Sequence, residues 1–108
     1  MENQFARQRT IKDIKNDDMK IQITGYVNNL VENDNFTLND KTGEIVVNIK
    51  NLSLEIKEED LVNVIGELIF ATSGEKSIHA KFVQDFNKVN FSYYQKLYEL
   101  KKEILNKK

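Results

Sequence analysis

A glycine-centred run of alternating apolar and polar residues, from Met19 to Val31, constrains the fold of this chain more than any other feature. Ile21 and Ile23 point to one face and the residues between them to the other, which is typical of a half-buried strand. A run of about a dozen residues is long for one strand. Glycine lets a strand bend and pass between the two sides of a barrel. The run therefore predicts one bent strand, centred on Gly25, that both sides of a small closed barrel share.

The rest of the sequence predicts four shorter strands and a helix. The segment Asp40-Lys41-Thr42-Gly43 forms a tight turn in which Gly43 suits the left-handed position, and Thr72-Ser73-Gly74-Glu75 forms a second. Gly66 is a second predicted bend point, within the fourth strand. After Ser92, which is a good helix N-cap, the apolar residues recur with the spacing of a helix. The predicted strands span residues 19–31, 35–39, 44–50, 61–70 and 77–85, and the predicted helix spans 92–106.

This order of elements predicts an all-β fold, a five-stranded Greek-key barrel with a C-terminal α-helix. We expect a flexible N-terminal arm over residues 1–10, the barrel over 11–90 and an amphipathic oligomerisation helix over 91–108. The 108 residues suit one domain, and 40% hydrophobic with 31% charged residues is typical of a globular protein.

Composition also excludes several kinds of site. The chain has no cysteine, which excludes disulfides, thiolate metal sites and cysteine nucleophiles. No charged-then-apolar signal opens it, so we expect an intracellular protein. The net charge of −1 is low for a protein that neutralises many phosphates by itself.

Several motifs carry a resemblance to a known family: Ile23-Thr24-Gly25-Tyr26-Val27, Phe36-Thr37-Leu38-Asn39-Asp40, Thr42-Gly43-Glu44-Ile45 and Asp60-Leu61-Val62-Asn63-Val64-Ile65-Gly66. From about Ile11 to Leu105 the chain resembles the middle and small subunits of replication protein A, the single-strand DNA-binding complex of eukaryotes and archaea. Subunits of telomere-end complexes are closely similar. The resemblance implies an oligonucleotide/oligosaccharide-binding (OB) fold whose last helix joins a helical bundle with other subunits. It therefore implies a hetero-oligomer that acts in DNA replication or repair, in an archaeal cytoplasm or a eukaryotic nucleus.

The candidate nucleic-acid site consists of outward-facing strand residues. A polar groove with one stacking ring and two cations would suit a few nucleotides, although outward strand residues are polar in any case. Tyr26 is the one aromatic ring predicted to face outward. Phe36 and Phe82 fall on the alternate positions of their strands that also hold the core residues, so they are predicted to face inward. The set is Tyr26, Thr37, Asn48, Lys50, His79 and Lys81.

The candidate partner interface lies on the terminal helix. Its apolar residues recur at spacings of three and four over more length than one barrel end needs. Packing against its own barrel is the alternative interpretation. The set is Tyr93, Tyr94, Leu97, Tyr98, Leu100 and Ile104.

The other charged residues predict no further chemistry. Arg7 and Arg9 would either clamp phosphate or belong to a solubilising tail. The acidic runs Asp17-Asp18 and Glu58-Glu59-Asp60 are expected in solvated loops, and His79 has no second ligand beside it. We therefore predict no metal, no cofactor and, without a nucleophile and base, no enzyme activity.

Three functions remain open. The first is an accessory subunit of a single-strand DNA-binding complex, with weak DNA contact and assembly through the helix. The second is a stand-alone RNA or single-stranded DNA binder, which the net charge disfavours. The third is a protein-interaction adaptor that has lost nucleic-acid binding, like a telomere-complex subunit.

Overall fold

The computed structural model describes residues 6–106, with side chains through residue 105, and its main body is a closed five-stranded barrel with one α-helix. A short strand and a one-turn 3-10 helix, Ile11–Asp13, precede the barrel. The strands are β1 (Arg7–Gln8), β2 (Lys20–Val31), β3 (Asn35–Asn39), β4 (Glu44–Asn48), β5 (Leu61–Phe70) and β6 (Lys76–Asp85), and the helix is α1 (Phe91–Asn106). No helix of the described part is long and apolar enough to cross a membrane.

The barrel closes because β2 pairs with two different strands. Its first part pairs with β5 as far as Tyr26, and from Tyr26 onward it pairs with β3. From β3 the order of neighbouring strands around the barrel continues through β4 and β6 to β5. The β4–β6 pair is parallel, and the other barrel pairs are antiparallel. Gly25 lies at this change of partner, where a Cβ would come 2.8 Å from the carbonyl oxygen of Asn39. The predicted barrel of the OB fold, with its bent first strand and C-terminal helix, is confirmed.

The core consists of the inward residues of the five barrel strands. Phe36 and Leu38 of β3 are fully buried, together with Ile21 and Ile23 of β2. Between β4 and β5, a connector places Leu52, Leu54 and Ile56 against this core. The remaining core residues are Val27, Ile45, Val47, Ile49, Val62, Val64, Leu68, Ile78 and Ala80.

The described part of the predicted N-terminal arm is attached to the barrel. Strand β1 runs parallel to β2 beside Ile21 and Gln22. The Arg9 guanidinium donates from Nε and Nη2 to the two carboxylate oxygens of Asp18, at 2.9 and 3.0 Å. Asp18 is 7% exposed, so the expectation of a solvated acidic loop is wrong for this residue. Arg9, which belongs to the predicted arm, is therefore attached to the rest of the chain through Asp18, and residues 1–5 lie outside the described residues.

A bulge in β6 changes which side chains face outward. Ile65 pairs with Phe82 and the next residue of β5, Gly66, pairs with Ala80, so Lys81 is the extra residue of β6. An extra residue reverses the alternation beyond it. Phe82 is therefore 64% exposed, and the prediction that it shares the core parity is wrong.

The turn between β3 and β4 differs from its predicted geometry. Lys41, not Gly43, occupies the left-handed region, with φ of 76°. Asp40 is 1% exposed, and its carboxylate accepts hydrogen bonds from the backbone N–H of Thr42 and of Ile11. A Cβ at Gly43 would lie 3.1 Å from Cγ2 of Ile11. This turn therefore anchors the 3-10 helix, and Gly43 is needed for a close approach.

Candidate nucleic-acid and partner interfaces

Three of the predicted groove residues lie on one outward face of β3, β4 and β6, which we call the groove face. Asn48 of β4 pairs in register with His79 of β6, and Thr37 of β3 lies opposite Val46 of β4. All three predicted residues are half-buried, and Val46 adds an apolar side chain that is 46% exposed. The structure therefore brings Thr37, Asn48 and His79 together as a shallow, uncharged strip.

The two predicted cations lie at the margins of this face. Lys50 is in the turn after β4, where its Nζ lies 3.7 Å from Oδ1 of Asp34. Lys81 is exposed at the bulge of β6. Acidic side chains also border the strip, since Glu67 of β5 pairs in register with His79. The face has mixed charge and does not form a continuous cationic track of the kind that follows a phosphate backbone.

Tyr26 is not a free stacking ring. Its ring meets that of Phe91 edge to face, with centroids 5.2 Å apart, and the Nζ of Lys41 lies 5.5 Å from its centroid. Tyr26 pairs with Asn39 and lies beyond the row that contains Thr37. The prediction that Tyr26 completes the groove as its aromatic platform is corrected, because the ring packs against the start of α1.

The inner side of α1 is held to the barrel and the N-terminal segment by polar contacts. The hydroxyl of Tyr98, a residue only 7% exposed, donates to Oδ2 of Asp13 at 2.8 Å. The hydroxyl of Tyr94 accepts from Nε2 of Gln8 at 2.7 Å, and Nε2 of Gln95 donates to the carbonyl of Asp40 at 2.7 Å. Tyr94 and Tyr98 therefore contact their own chain, which corrects their assignment to the partner interface.

Asp13 is the electrostatic centre of this attachment. Burial alone would raise its pKa, but hydrogen bonds from Lys102 and Tyr98 outweigh burial, and the pKa lies below its usual value. The Nζ of Lys102 lies 2.9 Å from Oδ2 of Asp13. Asp18 behaves in the same way: burial raises its pKa, and the hydrogen bonds from Arg9 and the Lys15 backbone lower it further than burial raises it. Both carboxylates are thus held in the charged form.

The outer side of α1 exposes four apolar residues that we call the outer stripe. They lie on the side opposite Tyr98 and Lys102, at spacings of four, three and four residues. The exposed fractions are 61% for Tyr93, 44% for Leu97, 51% for Leu100 and 58% for Ile104. The structure therefore places these four predicted interface residues where a second helix could reach all of them.

A groove runs beside the outer stripe, between α1 and the β3–β4 turn. Its volume is 980 Å³, and its walls include Lys41 and Thr42 on the turn and Lys96, Glu99 and Leu100 on the helix. Between residues 6 and 106, no three His, Asp or Glu side chains lie close enough to hold a metal ion. The groove is therefore an opening whose walls carry both charge signs.

The closed barrel, the bent first strand and the C-terminal helix define an OB-fold protein. The model of the family described as bacterial OB fold (BOF) protein matches residues 3–85, which is most of the chain. The chain belongs to this family. Among curated proteins none matches its sequence.

Solved structures of several OB-fold proteins are similar to this one. The telomere capping protein Ten1 from Saccharomyces pombe superposes with a TM-score of 0.72 at 15% identity, covering 92% of this chain and 99% of Ten1. The hypothetical protein ygiW from E. coli has a TM-score of 0.61 at 18% identity, covering 78% and 99%. A chain of a replication protein A heterotrimer bound to single-stranded DNA has a TM-score of 0.55 at 21% identity, covering 69% and 62%. At these identities the likeness shows the fold alone.

Two features of the site were missed by sequence reasoning. The outward position of Phe82 depends on the bulge at Lys81, and simple alternation carries no sign of a bulge. The attachment of α1 through Asp13 joins residues 85 positions apart, which local patterns cannot reveal. The sequence does carry a signal for the anchoring role of Asp40, because aspartate before a turn often accepts backbone hydrogen bonds.

Proposed function

We propose that this chain is a non-catalytic subunit of a single-strand DNA-binding complex. Helix α1 joins it to other OB-fold chains, and the groove face contacts DNA weakly. The observation that carries the proposal is the outer stripe, whose four apolar residues stay exposed while the opposite side of the helix is attached to the barrel. Burying one leucine stabilises an interface by about 1.5–3 kcal/mol, so Leu97 and Leu100 can hold a pair of helices.

Similar folds in assemblies of several chains support this proposal. Besides Ten1 alone, the S. pombe Stn1-Ten1 complex contains a chain that superposes with a TM-score of 0.74 at 15% identity. The replication protein A structure is a heterotrimer with bound single-stranded DNA. We infer by analogy that this chain works in an assembly and has no catalytic role of its own. The intracellular location expected from the sequence belongs to the same proposal.

The groove face supports weak DNA contact only. The chain carries a net charge of −1, and Lys50 has an acidic neighbour in Asp34. A stacked base contributes about 1–3 kcal/mol, and Tyr26 already packs on Phe91. We expect affinity in the micromolar range or poorer, because attraction of phosphates by a few lysines is largely electrostatic.

A titration of fluorescently labelled single-stranded oligonucleotides at low salt tests the DNA-binding half. We expect weak binding that falls steeply as salt is raised, because counterions are released on binding. Tyr26→Ala should disturb the start of α1 more than it disturbs binding. No binding at the highest soluble concentration of the assembled protein would contradict the proposal and move the chain to the adaptor class.

The adaptor without nucleic-acid binding is the second candidate function. It is favoured by the same packing of Tyr26 against Phe91, which removes the ring that the sequence analysis assigned to stacking on a base. Under this alternative the outer stripe remains the interface and the groove face has no ligand. A stand-alone RNA or DNA binder is the least supported, because it would leave the outer stripe unused.

A further inference from the structure

The outer stripe has the spacing of a coiled-coil face. Tyr93 and Leu100 occupy one of the two core positions of a heptad, called d, and Leu97 and Ile104 occupy the other, called a. In a two-helix coiled coil the residues at positions e and g flank the core and contact the partner helix. The charges at those flanking positions therefore favour some partners and orientations over others.

The positions that flank the stripe carry charges of opposite sign at different points along the helix axis. Lys96 and Glu103 occupy successive g positions on one border, and both are exposed. Tyr94 and Lys101 occupy the e positions on the other border, where each also forms a hydrogen bond with Gln8 of its own chain, at 2.7 and 3.2 Å. Within residues 6–106, neither Lys96 nor Glu103 forms an ion pair.

A parallel pair of two identical helices would bring like charges together. In that orientation a g residue faces the e residue five positions later on the partner. Lys96 would face Lys101 of the second copy, twice in a symmetric dimer, and like charges at such positions repel. The e position that would face Glu103 lies beyond the described end of α1 at Asn106.

An antiparallel pair of the same helices brings opposite charges together. In that orientation g positions face g positions and e positions face e positions. Lys96 therefore lies opposite Glu103 of the second copy, and by symmetry Glu103 lies opposite Lys96 of the second copy. Lys101 lies opposite Tyr94 of the second copy, whereas in the parallel pair it would face Lys96. The core layers match a to d: Leu97 packs on Leu100 of the second copy, and Tyr93 packs on its Ile104.

We propose that the outer stripe binds the same stripe of a second copy of this chain, running antiparallel. This proposal rests on the proposed function, in which α1 is an assembly interface, and it names the partner. Each barrel is attached to its own helix through Tyr98 and Gln95, which lie on the side of α1 away from the shared core. The net charge of −1 per chain adds little long-range repulsion between copies.

Charge reversal tests the orientation. The Kd of the dimer of the full chain is measured by analytical ultracentrifugation for the wild type, Lys96→Glu, Glu103→Lys and the variant with both changes. Each single reversal places like charges opposite each other at two symmetric positions and should weaken the dimer roughly tenfold. The double reversal should restore the wild-type Kd. Lys101→Glu is the matched control, because it should strengthen a parallel dimer and leave the antiparallel one nearly unchanged.

Disulfide trapping gives a second, independent readout. The chain has no cysteine, so Leu97→Cys and Leu100→Cys each introduce a single thiol. An equimolar mixture of the two variants under mild oxidation should give the mixed disulfide dimer. Each variant alone should cross-link poorly, because equal positions are not opposite each other in an antiparallel pair.

The outcomes separate this proposal from the proposed function. A dimer that follows the reversal pattern supports the antiparallel self-pair. A dimer that Lys101→Glu strengthens, or that Leu97→Cys alone cross-links efficiently, overturns it in favour of parallel pairing. A chain that stays monomeric at every concentration overturns self-pairing and leaves a different OB-fold chain as the partner of the stripe.

Discussion

The outer stripe of α1 and the groove face of the barrel differ in how far their side chains are already used within the chain. On the groove face, Lys50 has Asp34 beside it, and Tyr26, the ring expected there, packs on Phe91. On the outer stripe, Leu97 and Leu100 remain about half exposed, at 44% and 51%. Both regions have the residue types that their predicted roles require, but on the groove face Tyr26 and Lys50 already have partners within the chain, whereas the stripe leaves its leucines exposed.

This difference shows that residue type alone overstates a binding site when the residues already have partners. Arg9 illustrates the same point, because its guanidinium would suit a phosphate and is instead paired with buried Asp18. The comparison therefore predicts large effects on assembly from the stripe, large effects on stability from the internal pairs and small effects on binding from the groove face.

The largest expected effect is on assembly. Replacing Leu97 and Leu100 together by Asp should weaken association roughly 100-fold or more, because two leucines lose about 1.5–3 kcal/mol each and charges enter the interface. Light scattering against concentration measures the loss, and circular dichroism should show an intact fold. Val46→Asp is a matched control, since Val46 is equally exposed at 46% but lies on the groove face. Equal loss of association in the control would remove the distinction between the two regions.

The next effect is on stability and concerns the pair of Arg9 and Asp18. Asp18→Ala should lower the free energy of unfolding by about 3 kcal/mol, because it leaves a largely buried guanidinium unpaired. Chemical denaturation measures this change. The neighbouring Asp17 is exposed, so Asp17→Ala should change stability by no more than about 0.5 kcal/mol. Similar small changes in both variants would mean that Arg9 is free to bind a phosphate.

A smaller effect is expected from acid on the inner side of α1. The pKa of Asp13 is lowered in the folded chain, so its contribution to stability is present above the usual value of 3.8 and is lost as pH falls through the lowered pKa. Asp13→Asn should therefore be less stable than wild type at about pH 7, and the gap should narrow as the pH falls through the lowered pKa of Asp13. Thermal unfolding against pH measures the gap. A gap that stays constant with pH would show that the charge of Asp13 does not hold α1.

The smallest effect is expected from the lysines of the groove face. Replacing Lys50 and Lys81 together by Ala should weaken binding of a single-stranded oligonucleotide only about threefold and lower the salt slope by about 1.4, since each phosphate contact contributes about 0.7. Fluorescence titration over a range of salt concentrations measures both. A loss of two orders of magnitude would make the groove face, and not the outer stripe, the main functional surface.

Much of the fold could be predicted because its signals are local. Strands β3 and β5 match their predicted bounds, and the other barrel strands and α1 differ by one or two residues at their ends. Alternating Ile21 and Ile23 and the four-three-four spacing from Tyr93 to Ile104 are sufficient to identify a strand face and a helix stripe. The four residues of the stripe are exposed, and their role as an interface stays a prediction.

The parts that were not predicted depend on contacts between distant segments. Lys81 and Phe82 carry no local sign of a bulge, which arises from how β6 fits β5 next to Gly66. In the sequence, Asp18 has the neighbours of a solvated loop residue. Only the pairing of β1 with β2 in the folded chain brings Arg9 beside it. Tyr94 and Tyr98 have the same spacing as an interface, and only the positions of Gln8 and Asp13 show that they face inward.

The contacts of Asp13 with Tyr98 and Lys102 also affect how this protein matures during synthesis. A ribosome makes residue 13 long before residues 98 and 102, so the 3-10 helix must wait for α1 before it gains these bonds. The pairings of the five barrel strands do not depend on these bonds, because they involve residues 20–85 alone. Because α1 follows β6 in the chain, its apolar stripe is synthesised after the strands that close the barrel.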